Sequence, residues 1–256
     1  MTSQVPESLH AVLDRPLTVR PVAGRVGAEI CPVRLSGDLP EDVVARLRGE
    51  LHRHKVLFFR GQHHLDEAGL LAFARRLGDP GRVPSSGQDG GAWHTDASYT
   101  ERPPRATLLQ AVELPSRGGD TVWANTAAAY DALPVELRDL ADRLWAHHAD
   151  PSGRADHPVV RLHPETGERS LLLGGFARSI VGLSAEADSE ALIRLFQDHV
   201  TRLENTVRWR WEAGDVALAD NRSTQYRVVR DFGDEPRHLR RVTLAGEVPV
   251  PVVRRG

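Results

Sequence analysis

Gly214-Asp215-Val216-Ala217-Leu218-Ala219-Asp220-Asn221-Arg222-Ser223-Thr224-Gln225 is the stretch on which the fold turns. Val216–Ala219 reads as a short apolar strand, opened by a Gly-Asp pair and followed by a polar turn. The same texture recurs outward from it. Strand-like runs stand at Ala106–Leu114, Thr121–Ala124, Val159–Leu162, Leu171–Leu173, Thr206–Trp211 and Val242–Ala245. Helical patterns interrupt them at Ala127–Leu133, Val135–Trp145 and Ala185–Leu203. Many short strands with turn signals predict a β-barrel or sandwich core carrying helical decoration.

The N-terminal part is more helical. Leu17–Val33 reads as short strands broken at Pro21 and Gly24. Pro40–His54 is a predicted helix, with Val43, Val44, Leu47 and Leu51 at helical spacing and acidic residues in its first turn. Lys55–Arg60 is a short apolar strand, and Asp66 is placed to cap a second helix whose stripe is Leu70, Phe73, Ala74 and Leu77. The Gly/Ser/Pro-rich run Gly78–Gly91 is a loop by composition. With no internal repeat and no low-complexity linker, residues 1–256 are expected to form a single domain, with residues 1–16 a flexible N-terminus.

Composition excludes several classes of function. Lys+Arg 33 against Asp+Glu 35 gives a formal charge of −2, so no positive field draws nucleic acid or an anionic membrane. No apolar run approaches the roughly 20 residues of a membrane span. The opening MTSQVPESLHAVLDRP lacks a basic segment followed by an apolar one, and a cytoplasmic location is the expectation. Cys31 is the single cysteine, which excludes internal disulfides and thiolate metal clusters. Lys55 is the single lysine, which removes most lysine chemistry.

Trp93-His94-Thr95-Asp96 is the candidate for chemistry. On an extended strand residues i and i+2 share a face, so His94 and Asp96 can converge on one point. An imidazole and a carboxylate together suit a divalent first-row metal, and their three-ligand form with open positions is the facial triad of non-heme iron oxygenases. The alternative for such a tripeptide is a His–Asp hydrogen bond near a loop.

Taken with Gly118-Gly119-Asp120-Thr121-Val122-Trp123-Ala124-Asn125, the run from Gly214 to Gln225, and Arg237 followed by Arg240-Arg241-Val242-Thr243-Leu244-Ala245-Gly246, the chain resembles the taurine dioxygenase (TauD-like) family of Fe(II)/2-oxoglutarate-dependent dioxygenases. Val26-Gly27-Ala28-Glu29 and Val56-Leu57-Phe58-Phe59-Arg60 carry the resemblance into the N-terminal part, so that it spans about Leu17 to Pro249. It implies a mixed α/β chain whose core is a double-stranded β-helix, or jelly roll, decorated with helices. It implies that His94 and Asp96 are iron ligands, that Thr121 and Arg237 hold 2-oxoglutarate, and that Arg241 binds the acidic group of a small anionic organic substrate. O2 is the other co-substrate, and a homo-oligomer, dimer or tetramer, is expected by analogy. Residues 237, 239 and 241 would share one strand face, and two guanidinium forks in one cavity suit two organic anions. Tyr99 and Trp123 are candidates to line the pocket, with core packing the alternative for aromatics on strands.

The family's third ligand is a histidine directly after Asp-Asn-Arg-x-Thr-Gln; here that position is Tyr226, with the eleven-residue step to Arg237 intact. His147 and His148 follow a predicted helix, His238 should face away from Arg237, and His52, His54, His63, His64 and His199 read as surface or helix-flanking positions. His157 and His163 lie where the family carries histidines without metal duty. Three readings of Tyr226 stand open. It ligates as a phenolate, a hard donor favouring Fe(III), because a bound cation can drive its deprotonation. It points aside and water completes the site. Or the metal is lost and a small anion alone is bound. An iron oxygenase or oxidase not coupled to 2-oxoglutarate is the enzyme alternative to the dioxygenase. A second departure is the short polar segment Pro80–Ala92, thirteen residues where the family has a longer lid, which predicts a more open pocket.

Overall fold

The computed structural model describes residues 17–81 and 91–252. In chain order the strands and helices are β1 (Thr18–Pro21), β2 (Ala28–Cys31), α1 (Glu41–His54), β3 (Val56–Phe59), α2 (Glu67–Leu77), β4 (Pro80–Gly81), β5 (Ala106–Glu113), β6 (Thr121–Asn125), α3 (Thr126–Asp131) and α4 (Val135–Ala141). They continue as β7 (Trp145–Asp150), β8 (Gly153–Pro158), β9 (Val160–Leu162), β10 (Arg169–Leu171), β11 (Ala177–Ile180), α5 (Glu186–Val200), β12 (Thr206–Trp209), β13 (Val216–Asp220), β14 (Thr224–Val228), β15 (His238–Leu244) and β16 (Val250–Pro251). No helix among the described residues is long and apolar enough to cross a membrane.

The strand Val216–Asp220 is central, as its apolar run requires. β13 lies between β3 and β5 in the order β1-β2-β3-β13-β5-β15-β4, and all five of its residues are buried. A strand covered on both faces reads as continuous apolar sequence rather than as alternation. Val216 and Leu218 point to one face, where they join Leu57, Phe59, Leu108 and the helix residues Leu47, Leu51, Leu70 and Phe73. Ala217 and Ala219 point to the other, with Phe58, Leu109, Trp123, Val207, Trp209, Trp211 and Tyr226. This second cluster fills the space between the large sheet and the small sheet β12-β6-β14, and two sheets closed over one core make the expected jelly roll. A further cluster packs α3 and α5 against β7, β9, β10 and β11 on the outside of the small sheet.

Asp66 caps α2 as predicted, its side chain accepting from the Gly69 amide at 2.7 Å. Helix ends were less legible. The pattern Val135–Trp145 stops as a helix at Ala141; the chain tightens through Arg143 and Leu144, and Trp145 opens β7. His147 and His148 therefore sit on a strand, where His148 is buried and His147 exposed. The predicted helix Ala185–Leu203 is Glu186–Val200, and His199 is buried in its last turn. Of the short lid, Pro80 and Gly81 pair with β15, while residues 82–90 lie outside the described residues.

Candidate active site

His94 enters the site by pairing with Tyr226. The two residues exchange both backbone hydrogen bonds, at 3.0 and 2.9 Å, in an isolated antiparallel bridge. Directly opposed residues project on the same side, and the two rings lie 4.4 Å apart. His94 Nδ1 is 2.8 Å from the Ala92 carbonyl oxygen. A carbonyl can only accept, so the proton sits on Nδ1 and the Nε2 lone pair is free. That nitrogen faces Asp96, 3.8 Å from its Oδ1. Ala97, next in sequence, holds φ 45, a left-handed backbone costing on the order of 1 kcal/mol for a residue with a Cβ. The turn it makes carries the buried Asp96 into the barrel.

Asp96 has its two oxygens committed differently. Oδ2 accepts from Thr107 Oγ1 at 2.5 Å, and that hydroxyl accepts from Asn221 Nδ2 at 2.8 Å. Oδ1 accepts from the Tyr226 hydroxyl at 2.9 Å and faces Arg241 Nη1 at 3.4 Å. Thr107 and Asn221 were not singled out from sequence, although Asn221 lies inside the quoted motif. Burial pushes the Tyr226 phenol well above its ordinary pKa, and the Asp96 carboxylate pushes it the same way. Arg241 is pulled down by burial, but Asp96 and Tyr226 outweigh this and raise it.

These residues fit a divalent cation. Two bonds of about 2.1 Å from one ion span donor atoms up to about 4.2 Å apart, and His94 Nε2 and Asp96 Oδ1 are 3.8 Å apart. The imidazole already has its outer nitrogen anchored, and the carboxylate its outer oxygen. Tyr226 brings its hydroxyl to the same carboxylate oxygen, as a hydrogen-bond donor.

At the start of β6 lies a different chemistry. Arg237 Nε donates to the Gly119 carbonyl at 2.7 Å, and Nη2 to Thr121 Oγ1 at 3.0 Å. Trp211 Nε1 also donates to Thr121 Oγ1, at 2.9 Å. Gly118 and Gly119 both have φ near +70, and a Cβ on Gly119 would stand 3.1 Å from Arg237 Cδ, so the Gly-Gly turn is what lets the guanidinium lie across it. Arg237 is mostly buried, bonds only neutral groups, and forms no ion pair among the described residues. Burial accordingly lowers its pKa.

Tyr99 is buried against Phe176, with ring centroids 4.9 Å apart. Trp123 is wholly buried in the inter-sheet core, paired in register with Tyr226, and its indole Nε1 has no hydrogen-bond partner among the described residues. His238 is exposed, as its alternation with Arg237 requires.

A second His/Asp cluster lies elsewhere: ligand atoms of His52, His163 and Asp220 are all within 4.8 Å of one another. Its protonation differs from that of His94. The Glu165 and Thr166 amides both donate to His163 Nδ1, so the proton sits on Nε2 and goes to Asp220 at 2.8 Å. The His163 ring then has no lone pair free for a metal. Burial works to raise the Asp220 pKa, but the His163 hydrogen bond and the Arg222 charge hold it well below the carboxylate range. Arg222 bonds both Asp220 and Glu165. The cluster is a buried joint, tying the hairpin after β9 to β13.

Residues 18–243 match the family described as "Taurine catabolism dioxygenase TauD, TfdA family". A Pseudomonas putida protein named alpha-ketoglutarate-dependent sulfate ester dioxygenase is 50% identical over 277 aligned positions, covering 92% of each chain. An Acinetobacter baylyi protein named alkylsulfatase is 40% identical, covering 91% of this chain and 86% of its own. Among solved structures, a taurine dioxygenase from Burkholderia xenovorans superposes with a TM-score of 0.85 at 40% identity, covering 92% of this chain and 93% of the other.

Proposed function

Because the chain belongs to the taurine catabolism dioxygenase TauD/TfdA family, whose enzymes are oxidoreductases using Fe(II), 2-oxoglutarate and O2, we propose that it oxidises a small organic sulfate ester. The described residues are taken as one domain, and a homo-oligomer is part of the proposal. The observation that carries the reading is the pair of guanidinium groups on one barrel face, of which Arg237 is partly buried with only neutral partners. A partly buried cation without an anionic partner suits an incoming anion, and a bidentate carboxylate matches its fork.

In this reading Thr121 and Arg237 hold the distal carboxylate of 2-oxoglutarate. Arg241, beside Asp96, takes the sulfate group of the substrate and so brings the carbon bearing it to the metal site. Tyr99 and Trp123, both buried, pack behind the site rather than lining it. His94 and Asp96 would hold the iron, with Tyr226 as third donor. Iron, when bound, supplies the activation of O2. One oxygen atom goes to succinate as CO2 is lost, and the other hydroxylates the carbon bearing the sulfate. The hydroxyalkyl sulfate then breaks its carbon–oxygen bond to give an aldehyde and inorganic sulfate.

The test is to supply an alkyl sulfate, 2-oxoglutarate and Fe(II) under air and to measure succinate and inorganic sulfate. Equal amounts of both are expected. Succinate formed with taurine but not with any alkyl sulfate would overturn the substrate class, and oxidation without succinate would overturn 2-oxoglutarate coupling.

Tyr226 admits a second reading, favoured by its hydrogen bond to Asp96: the phenol keeps its proton and water completes the site. Anaerobic loading with Fe(II), then air, separates the two. A phenolate-to-Fe(III) visible band that disappears in Tyr226→Phe is the expected result. Stoichiometric iron without the band assigns Tyr226 as a donor to Asp96 only. Tyr226→His should bind iron more tightly, by about tenfold or more, since an imidazole needs no proton removed from a buried phenol.

A further inference from the structure

Resting on the assignment of Thr121 and Arg237 to 2-oxoglutarate, we propose that Trp211 is a positioning residue that fixes the Thr121 hydroxyl as a hydrogen-bond donor to the co-substrate carboxylate. A threonine hydroxyl has two acceptor lone pairs and one proton. Both lone pairs of Thr121 are occupied, one by Trp211 Nε1 at 2.9 Å and one by Arg237 Nη2 at 3.0 Å. An indole N–H and a guanidinium can only donate, so neither can exchange roles with the hydroxyl. The proton is left with one tetrahedral direction, and it has no acceptor among the described residues.

Thr121 is wholly buried in the ligand-free protein, so an acceptor reaches that proton only by displacing a neighbouring side chain. A carboxylate oxygen beside Arg237 satisfies it. Accepting two bonds also polarises the hydroxyl and makes it a stronger donor. Trp211 lies just beyond β12 with its ring in the inter-sheet core, against Trp123 at 6.1 Å, so its orientation is held by packing rather than by the ligand. Nearby Trp209 sends its indole N–H to Asp215 instead, at 3.2 Å. Two buried tryptophans of one cluster therefore serve different partners, and this supplies an internal control.

The experiment replaces Trp211 with β-(3-benzothienyl)alanine, which keeps the bicyclic shape and lacks the N–H, and also with phenylalanine. 2-Oxoglutarate is titrated by calorimetry into Fe(II)-loaded protein under argon, where no turnover occurs. Both variants should bind 2-oxoglutarate about three- to tenfold more weakly, and in air the KM for it should rise more than kcat falls. Thr121→Val should lose at least as much, and the Trp211 replacement should add nothing further in the Thr121→Val background. Trp209→Phe should melt earlier yet bind as before.

Unchanged binding in the benzothienyl variant would overturn the inference. So would a loss that persists undiminished in the Thr121→Val background, or an equal loss in Trp209→Phe, since each marks mere packing. If Thr121→Val and Arg237→Ala themselves bind normally, the co-substrate assignment fails and the inference falls with it. If those two lose affinity and the Trp211 variants do not, the inference alone fails.

Discussion

Arg237→Ala is expected to raise the 2-oxoglutarate requirement by about two to three orders of magnitude while the protein stays folded. Removing one member of a buried charge pair costs about 2–5 kcal/mol of binding. The stability side is different, because in the ligand-free protein this guanidinium bonds only the Gly119 carbonyl and the Thr121 hydroxyl. A partly buried cation bonded only to neutral groups contributes little to folding, so its loss should move the melting temperature by only a few degrees. Arg237→Lys should fall between the two, since it keeps the charge and loses the planar fork. Succinate formation against 2-oxoglutarate concentration, together with a melt of each variant, gives the answer. A KM unchanged in Arg237→Ala would show that the co-substrate carboxylate binds elsewhere.

Much of this geometry was legible from sequence, for physical reasons that differ by element. β13 was readable because a strand buried on both faces is a continuous apolar run, and Val216–Asp220 is one. α2 was readable because Asp66 caps it and its stripe has one period. β7 and β8 were missed because Trp-Ala-His-His-Ala-Asp and Gly-Arg-Ala-Asp-His-Pro have weak strand propensity, and their pairing with each other supplies what propensity does not. Ion pairs and hydrogen bonds across the chain were the least visible. Thr107, Asn221 and Trp211 are eleven or more residues from the groups they orient. Nothing in a local pattern marks such residues. The His/Asp pairs show the same limit: His94-x-Asp96 and His163 with Asp220 are alike in residue type. Only the carbonyl at one Nδ1 and the amides at the other reveal which ring offers its second nitrogen.

That contrast sets the second large effect. Asp96→Asn should abolish stoichiometric iron and lower turnover by at least about a thousandfold, while Asp220→Asn should keep the iron and weaken the fold. In Asp96→Asn the amide has no orientation that replaces the carboxylate. With its oxygen toward Thr107, its NH2 group faces the Arg241 guanidinium, donor against donor; reversed, the oxygen on the metal side is neutral and a poorer ligand. The lost hydrogen bonds cost about 1–3 kcal/mol of stability, or some few degrees in a chain of this size. Asp220→Asn instead breaks a fully buried ion pair with Arg222 and the bond from His163, which costs about 3–5 kcal/mol. The sign of the pH effect follows. The folded-state pKa of Asp220 is depressed, so its contribution is present above the unfolded value near 4 and is lost as pH falls through the folded value. The wild-type protein should therefore resist acid better than Asp220→Asn at pH 5, and the two should converge only in strong acid. Metal analysis after anaerobic loading, with melts at pH 5 and 7, reads both arms. Full iron occupancy in Asp96→Asn, or its loss in a folded Asp220→Asn, would place the metal in the wrong cluster.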